Sequence, residues 1–467
     1  MPTVMQWTIH LLGKIEAQRL YSAPYELRYR NEYVLPFIAR EYREVYGEAV
    51  DLVHPALTPP RTGTAGIGID ALVERLTVQG ATSDDPVAAR RMQIAWEDND
   101  LDVMHREAHR EALIKARAFG AVSRSADNAR AIVGIESPEQ MAVHRQSAPP
   151  YDVDASLKVQ TDEWTGQRRG LLQLPGRDIP LVEALVAYYD PEGSGAHSRW
   201  VIAPEGERPS RMLGVPVVEF ACRSRLLTEP ISDIEPIVTE VDVVDLIEGL
   251  MVFAGHFGAV PIRAISGVPV MRDPKDPTGN TPLMGPDGKP IMGFVPRADH
   301  TWLSTDPQTK FQQLTPAGLE AFVQWANHAS SRVRARTSIA STYYSIDLKS
   351  HMSAELLKTD EAPMVRRVNA MGRDGSFGQS WRRLFRLMME IEDPGSRARV
   401  KSRWADPETR VEAQATDSAQ KLTSAGYGRG VVGETVLGWD PETVTRAVAE
   451  GNSDRRLADP ATPPTDI

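Results

Sequence analysis

A single cysteine, Cys222, stands in a chain of 467 residues. That excludes an internal disulfide and any multi-cysteine metal site, and it points to assembly in a reducing compartment. Cys222 follows Ala221 in an apolar β-like run, the setting of a buried thiol and not of a nucleophile. Lysine is scarce as well: only 10 of the 53 basic residues, so arginine carries the positive charge. No run approaches the roughly 20 apolar residues that span a bilayer. The apolar segment 7–12 has no basic leader, so no secretory signal is expected. There is no GxSxG elbow. Gly63, Gly66 and Gly68 lack the Lys-Ser/Thr end and the preceding strand of a phosphate loop, and Lys289 is followed by Pro290 where a hydroxyl residue is needed. Both stretches read as turns. His105 and His109, four apart on an expected helix, share a face as metal ligands would. The intervening Arg106, Glu107 and Ala108 do not complete an HExxH arrangement, and no third ligand is evident. Two polar residues on an exposed helix face is the plainer reading. No catalytic residue, cofactor or metal is therefore expected.

What is present is ordinary in amount: 41% hydrophobic and 25% charged residues, with a net charge of -10. A core of this size divides into two or three sub-structures. Proteins that grip nucleic acid tightly are usually basic. An acidic chain that handles DNA should let the strand slide.

The order of elements carries more. Residues 1–50 read as helical, broken at Pro24 and Pro36. Ile69 to Val78 reads as a short helix. Asp85–Pro86 opens another, since Asp caps and Pro fits the first turn. Leu101 to Phe119 follows, ending at Gly120. Short β-type runs at 131–134, 157–159, 200–203 and 215–220 mark a β-rich part between residues 130 and 225. Ser232 with Glu235 fits a capping box, followed by apolar residues at helical spacing from Ile234 to Leu250. Residues 229–258 hold seven acidic side chains and no Lys or Arg. A loop-rich stretch with β-like ends leads to a helix from Pro316 to Ser330. A basic, hydroxyl-rich segment comes next, with Arg332, Arg334, Arg336, Ser338, Ser341 and Thr342. A long helical stretch from Ser353 to Glu392 is interrupted at Pro363 and around Gly372–Gly378. Arg397–Trp404 reads as a strand. Asp406–Pro407–Glu408 and Asp440–Pro441–Glu442 each start a helix, and the tail from 452 reads as disordered.

This order resembles the portal proteins of long-tailed bacteriophages. The segment 96–102 (Trp96, Asn99, Leu101, Asp102), followed by His109, Ala112 and Gly120, looks like the family's W..N.LD…H..A...G pattern. Residues 69–78 look like its Arg-Leu segment, and 214–220 precede Ser232–Asp233–Ile234 as they do there. Residues 353–358 resemble SAEALK, with Leu356 in place of the small residue. Phe377, Gly378 and Trp381 match FG..W. Trp404, Asp406 and Pro407, then Asp417 and Lys421, match W.DP…D…K.

The resemblance implies an α+β, portal-type fold with a mostly helical wing, stem and crown and a small β-containing clip, assembled as a ring, commonly of twelve copies. On that pattern 1–230 are wing, 231–258 the first stem helix, 259–315 clip, 316–331 the second stem helix, 332–352 a tunnel loop, 353–405 the kinked wing helix and strand, and 406–451 crown. The implied function is a portal protein at a unique capsid vertex of the virion, assembled in the host cytoplasm, through which double-stranded DNA is packaged and ejected. Implied partners are further copies of the chain, the terminase whose ATPase drives packaging, head-completion or adaptor proteins, and the major capsid and scaffolding proteins; no membrane is involved. Arg332, Arg334, Arg336, Ser338, Ser341, Thr342 and Lys349 would approach DNA. Glu235, Glu240, Asp242, Asp245 and Glu248 would line the tunnel and repel phosphates. The alternatives are another head–tail connector or minor capsid protein, or, more distantly, a metal-dependent enzyme using His105 and His109.

Overall fold

The computed structural model describes residues 2–46, 60–125, 130–147, 149, 151–190, 193–210, 212, 214–259, 263–266, 271–278, 281–286, 310–313, 318–344, 354–396, 398–408, 412–437, 439, 443–444 and 446–450. Its helices and strands, in chain order, are α1 (Val4–Tyr29), α2 (Pro36–Tyr46), α3 (Thr64–Arg75), β1 (Val78–Ser83), α4 (Pro86–Asp98), α5 (Leu101–Lys115), β2 (Arg117–Arg124), β3 (Ala131–Glu136), β4 (Met141–Arg145), β5 (Val153–Thr161), β6 (Arg168–Leu174), β7 (Arg177–Asp190), β8 (Gly193–Ile202), β9 (Arg208–Pro209) and β10 (Val217–Ala221). There follow α6 (Val238–Ala259), β11 (Arg263–Ser266), β12 (Lys310–Gln313), α7 (Glu320–Thr337), α8 (Ser341–Tyr344), α9 (Ala354–Met371), α10 (Ser376–Glu392), β13 (Val400–Trp404), α11 (Glu412–Ser424) and α12 (Arg429–Thr435). The fold is α+β, as expected. Among the described residues no helix is long and apolar enough to cross a membrane.

The chain divides into two compact units. One holds residues 1–33, 63–238 and 334–467; the other holds 34–62 and 239–333. In the larger unit, strands β4 to β8 run antiparallel in sequence order, with β9 added beside β7. Alternation explains the buried face: Ala155, Leu157 and Val159 point one way along β5, and they meet Leu172, Ile179 and Leu181. Leu11 and Ile15, one helical turn apart on α1, cover that face. A second sheet orders its strands β10, β2, β3, and a third pairs β1 with β13 across more than 300 residues of sequence. In the smaller unit, Val244 and Ile247 of α6 pack on Ala329 of α7, with Phe322 and Ala326 beside them. Helices α6 and α7 therefore pack together, and β11 pairs antiparallel with β12.

Several expectations needed correction, each for a local reason. Pro24 does not break α1. The carbonyl it strands belongs to Leu20, which is 70% exposed, so water can take the lost bond while the buried side of the helix continues. Pro363 likewise sits inside α9, and of the two expected interruptions only the one around Gly372–Gly378 forms, between Met371 and Ser376. The helix expected from Leu101 to Phe119 stops at Lys115, because Ala116 adopts a left-handed φ of 71° and the chain enters β2. The helix expected at 69–78 runs from Thr64 to Arg75, and Val78 already belongs to a strand. Gly66 and Gly68, read as turn residues, are buried inside that helix, where a Cβ would meet the Tyr29 carbonyl at 2.9 Å and the Tyr344 hydroxyl at 2.7 Å. Ser232 and Glu235 form no capping box: the Ser232 hydroxyl donates to the Leu113 carbonyl, Glu235 lies in a 3-10 turn, and α6 begins at Val238. The start at Asp85 formed as read, with its carboxylate accepting from the Val87 amide at 2.9 Å. The start at 440–442 and the tail from 452 lie outside the described residues.

Candidate nucleic-acid interface

The basic segment is not a loop where its arginines lie. Helix α7 runs on to Thr337, so Arg332, Arg334 and Arg336 are helical, with the last two in its final turn. Ala329, Val333 and Thr337, four apart, are buried along one side and extend the helix past residue 330. Cations also suit a helix C-terminus, where the carbonyls carry partial negative charge. The chain turns only at Ser338, whose φ is 56°, with its amide bonded to the Arg334 carbonyl at 2.8 Å.

The arginines differ in surroundings. Arg332, about half exposed, pairs with Glu240 at 2.8 Å, and that carboxylate is 3% exposed. Arg336 is exposed and donates to the Pro236 carbonyl at 2.8 Å. Arg334 is half-buried. The hydroxyl residues are less available than expected. Both the amide and the hydroxyl of Ser341 are held by the Asp360 carboxylate, at 2.6 and 2.7 Å. Thr342 is half-buried in the short α8, and Lys349 lies outside the described residues.

The acidic residues do not form one face. At about 100° per residue, Asp242, Asp245 and Glu248 share a broad side of α6 and Glu240 points away from them. Glu240 is the buried partner of Arg332. Asp245 accepts from the amide and hydroxyl of Thr62, at 3.0 and 2.7 Å. Asp242 and Glu248 are half-buried. Glu235 accepts from the Tyr21 hydroxyl, which also accepts from the Ser232 amide. Burial first, and that carboxylate second, push the Tyr21 pKa upward.

A second site was missed from sequence. His105 and His109, read as exposed polar residues, are 1% and 0% exposed. His109 lies between two parallel rings, Phe377 at 5.0 Å and Trp404 at 5.6 Å. The Trp381 indole N–H donates to its Nε2 at 2.9 Å. Indole is a donor only, so Nε2 accepts, and the ring proton sits on Nδ1. Nδ1 then donates to the Leu76 carbonyl at 2.9 Å. Burial pulls the His109 pKa down to about 3, and burial lowers that of His105 as well. Both ring nitrogens of His109 are committed, so the metal-ligand reading would require breaking this cluster. Among the described residues no group of three or more His, Cys, Asp or Glu is placed to hold a metal. Cys222 is buried, and burial raises its thiol pKa.

This cluster gathers the scattered sequence motifs. Trp96 lies 5.4 Å from Trp381 by ring centroids. Asn99 accepts from the Val133 amide and donates to the Ala131 carbonyl, fastening α4 to β3. Gly120 faces Leu384 and Phe220, and a Cβ there would meet them at 3.0 and 3.2 Å. Gly378 is tighter still, with its Cβ position 2.5 Å from the Gly372 carbonyl. The Pro407 carbonyl accepts from Arg75 at 2.7 Å. Asp417 and Lys421 stand outside this core, as an exposed i,i+4 pair at 2.7 Å on α11. Three motifs spread over some 300 residues thus build one core.

The chain is similar in sequence to phage portal proteins. It is 26% identical to the portal protein of Mycobacterium phage L5 over 382 residues, which covers 78% of this chain and 72% of the relative. It is 24% identical to the portal protein of Mycobacterium phage D29 over 386 residues, with the same shares. No protein-family profile matches it. Among solved structures, a chain from the virion of a native gene transfer agent particle aligns with a TM-score of 0.42 at 10% identity, covering 81% of this chain and 90% of that one. A chain from the neck of the native particle, computed with C12 symmetry, aligns with a TM-score of 0.43 at 10% identity, over 83% and 91%.

Proposed function

We propose that the chain is a portal subunit: copies of it form a ring at one capsid vertex, through which double-stranded DNA enters and leaves. The observation that carries this reading is the sequence similarity to two phage portal proteins over 78% of the chain. The convergence of the motif residues Trp96, His109, Phe377, Trp381 and Trp404 on one core supports it, because it gives those motifs a shared structural reason. Twelve copies, a terminase supplying the ATPase, and adaptor and capsid partners belong to the same reading.

In it, the packed helices α6 and α7 serve as the stem, and residues 259–315 as the clip. The end of α7 brings the basic groups to the DNA. Arg336 is exposed and Arg334 half-buried, and both are held at a helix terminus. Phosphate contacts there are weak singly and multiplied by the ring, while the net charge of -10 disfavours adhesion along the path. The helical setting moves the working residues from a loop beginning at 332 to the junction at 334–338. Ser341 is occupied by Asp360, which leaves the arginines as the principal contacts.

Negative-stain images of the purified protein should show rings with a central hole. A strictly monomeric protein under all conditions would overturn the reading. Arg334→Ala and Arg336→Ala should leave rings intact and impair DNA packaging. Normal packaging in both variants, and in the double variant, would remove the helix end from the mechanism.

A further inference from the structure

Arg367, on α9, was singled out by no motif. Its side chain is 15% exposed and reaches two acceptors at once. One guanidinium nitrogen donates to the Thr337 carbonyl, the last residue of α7. The other donates to Asp233, which is 4% exposed and lies in the lead-in to α6. Arg223, 32% exposed, completes the triad, donating to the same Asp233 oxygen at 2.7 Å. Arg223 itself holds a left-handed φ of 46°, a conformation that a non-glycine residue keeps only where its surroundings impose it.

The chain beyond Thr337 is fastened to the same neighbourhood. Ser338 turns with a φ of 56°. Ile339 and Ala340 are buried. Ser341 is bonded to Asp360, seven positions before Arg367 on the same helix. The Tyr343 hydroxyl donates to Glu74 at 3.2 Å, and Arg75 next to it pairs with Glu361 at 3.2 Å. Arg336 adds a second bridge, from the helix end to the Pro236 carbonyl.

We infer that Arg367 is the positioning residue of the basic helix end: its two-pronged bridge between the Thr337 carbonyl and Asp233 sets where Arg334 and Arg336 stand and how residues 338–344 leave the helix. The inference rests on the portal reading for its link to DNA and on the geometry alone for its link to residues 338–344. The planar fork of arginine can serve two acceptors in fixed directions. The ammonium of lysine keeps the charge but is a point donor on a flexible stem, so it cannot hold both at once in this geometry.

The test compares Arg367→Lys with the wild-type full chain by hydrogen–deuterium exchange, together with DNA packaging by assembled particles. In the variant, amides of 338–344 should exchange at least about tenfold faster, while amides of α10, around Trp381, stay unchanged. Rings should form, and packaging should fall at least about tenfold. Unchanged exchange at 338–344, or an equal rise at 338–344 and in α10, would overturn the positioning role. Faster exchange at 338–344 with wild-type packaging would overturn its link to DNA and leave the portal reading standing. Absence of rings in the wild type would defeat the portal reading, and the exchange comparison would still decide the positioning role.

Discussion

Acidification places a proton on a histidine that the fold keeps neutral. Burial pulls the His109 pKa from its ordinary 6.5 to about 3. The unfolded chain binds that proton below about pH 6.5 and the folded chain does not. The stability contributed by neutral His109 is therefore complete above about pH 6.5 and declines as pH falls through that value toward 3, by about 1.4 kcal/mol per unit. Between about pH 6.5 and 5 the loss is about 2 kcal/mol. His105, lowered by its own burial, acts in the same direction. Glu111 and Asp178, raised by burial, act in the opposite one. The difference between two proteins is therefore the useful reading. His109→Phe keeps a ring between Phe377 and Trp404 but removes the titration. It also strands the Trp381 N–H and the Leu76 carbonyl, at a cost of roughly 1–3 kcal/mol each near pH 7. Urea denaturation followed by tryptophan fluorescence, from about pH 7.5 to 5, should show a variant that is weaker at neutral pH and loses about 2 kcal/mol less on acidification across that range. Equal pH slopes for the two proteins would refute the argument.

Gly378→Ala forces a Cβ to within 2.5 Å of the Gly372 carbonyl and 2.7 Å of the Arg373 carbonyl, both backbone atoms. It should cost about 3 kcal/mol or more, read as a fall in the urea midpoint. Arg332→Ala leaves the Glu240 carboxylate, 3% exposed, without its guanidinium. Discounted for the exposure of Arg332, the cost is roughly 1–2 kcal/mol. Adding Glu240→Gln to that variant should recover part of the loss in a thermal melt, which a purely steric role for Arg332 would not allow.

Much of the fold was legible where local chemistry decides the outcome. Asp85–Pro86 set a helix start, and the interruption expected around Gly372–Gly378 falls where α9 gives way to α10. What escaped depended on partners far away in sequence. His105 and His109 looked polar because nothing nearby showed that Phe377, Trp381 and Trp404 would enclose them. The end of α7 was placed too early because three arginines suggested solvent, whereas Ala329, Val333 and Thr337 at four-residue spacing held the helical signal. Ser232 found the Leu113 carbonyl in preference to a cap, a choice that no short window of sequence contains. Arg367 sits in an unremarkable helix, and its two acceptors lie 30 and 134 residues away.

The pairing of β1 with β13, and the enclosure of His109 by Phe377 and Trp404, also bear on synthesis. A ribosome making this chain must deliver residue 404 before either can close. Contacts that span so much sequence form late, and until then the nascent chain exposes the apolar walls of its own core. A product cut short before residue 377 would keep an unclosed core and would be available to chaperones and proteases. Completion of the polypeptide through residue 404 thereby becomes a precondition for a closed core, and truncated copies fail to fold.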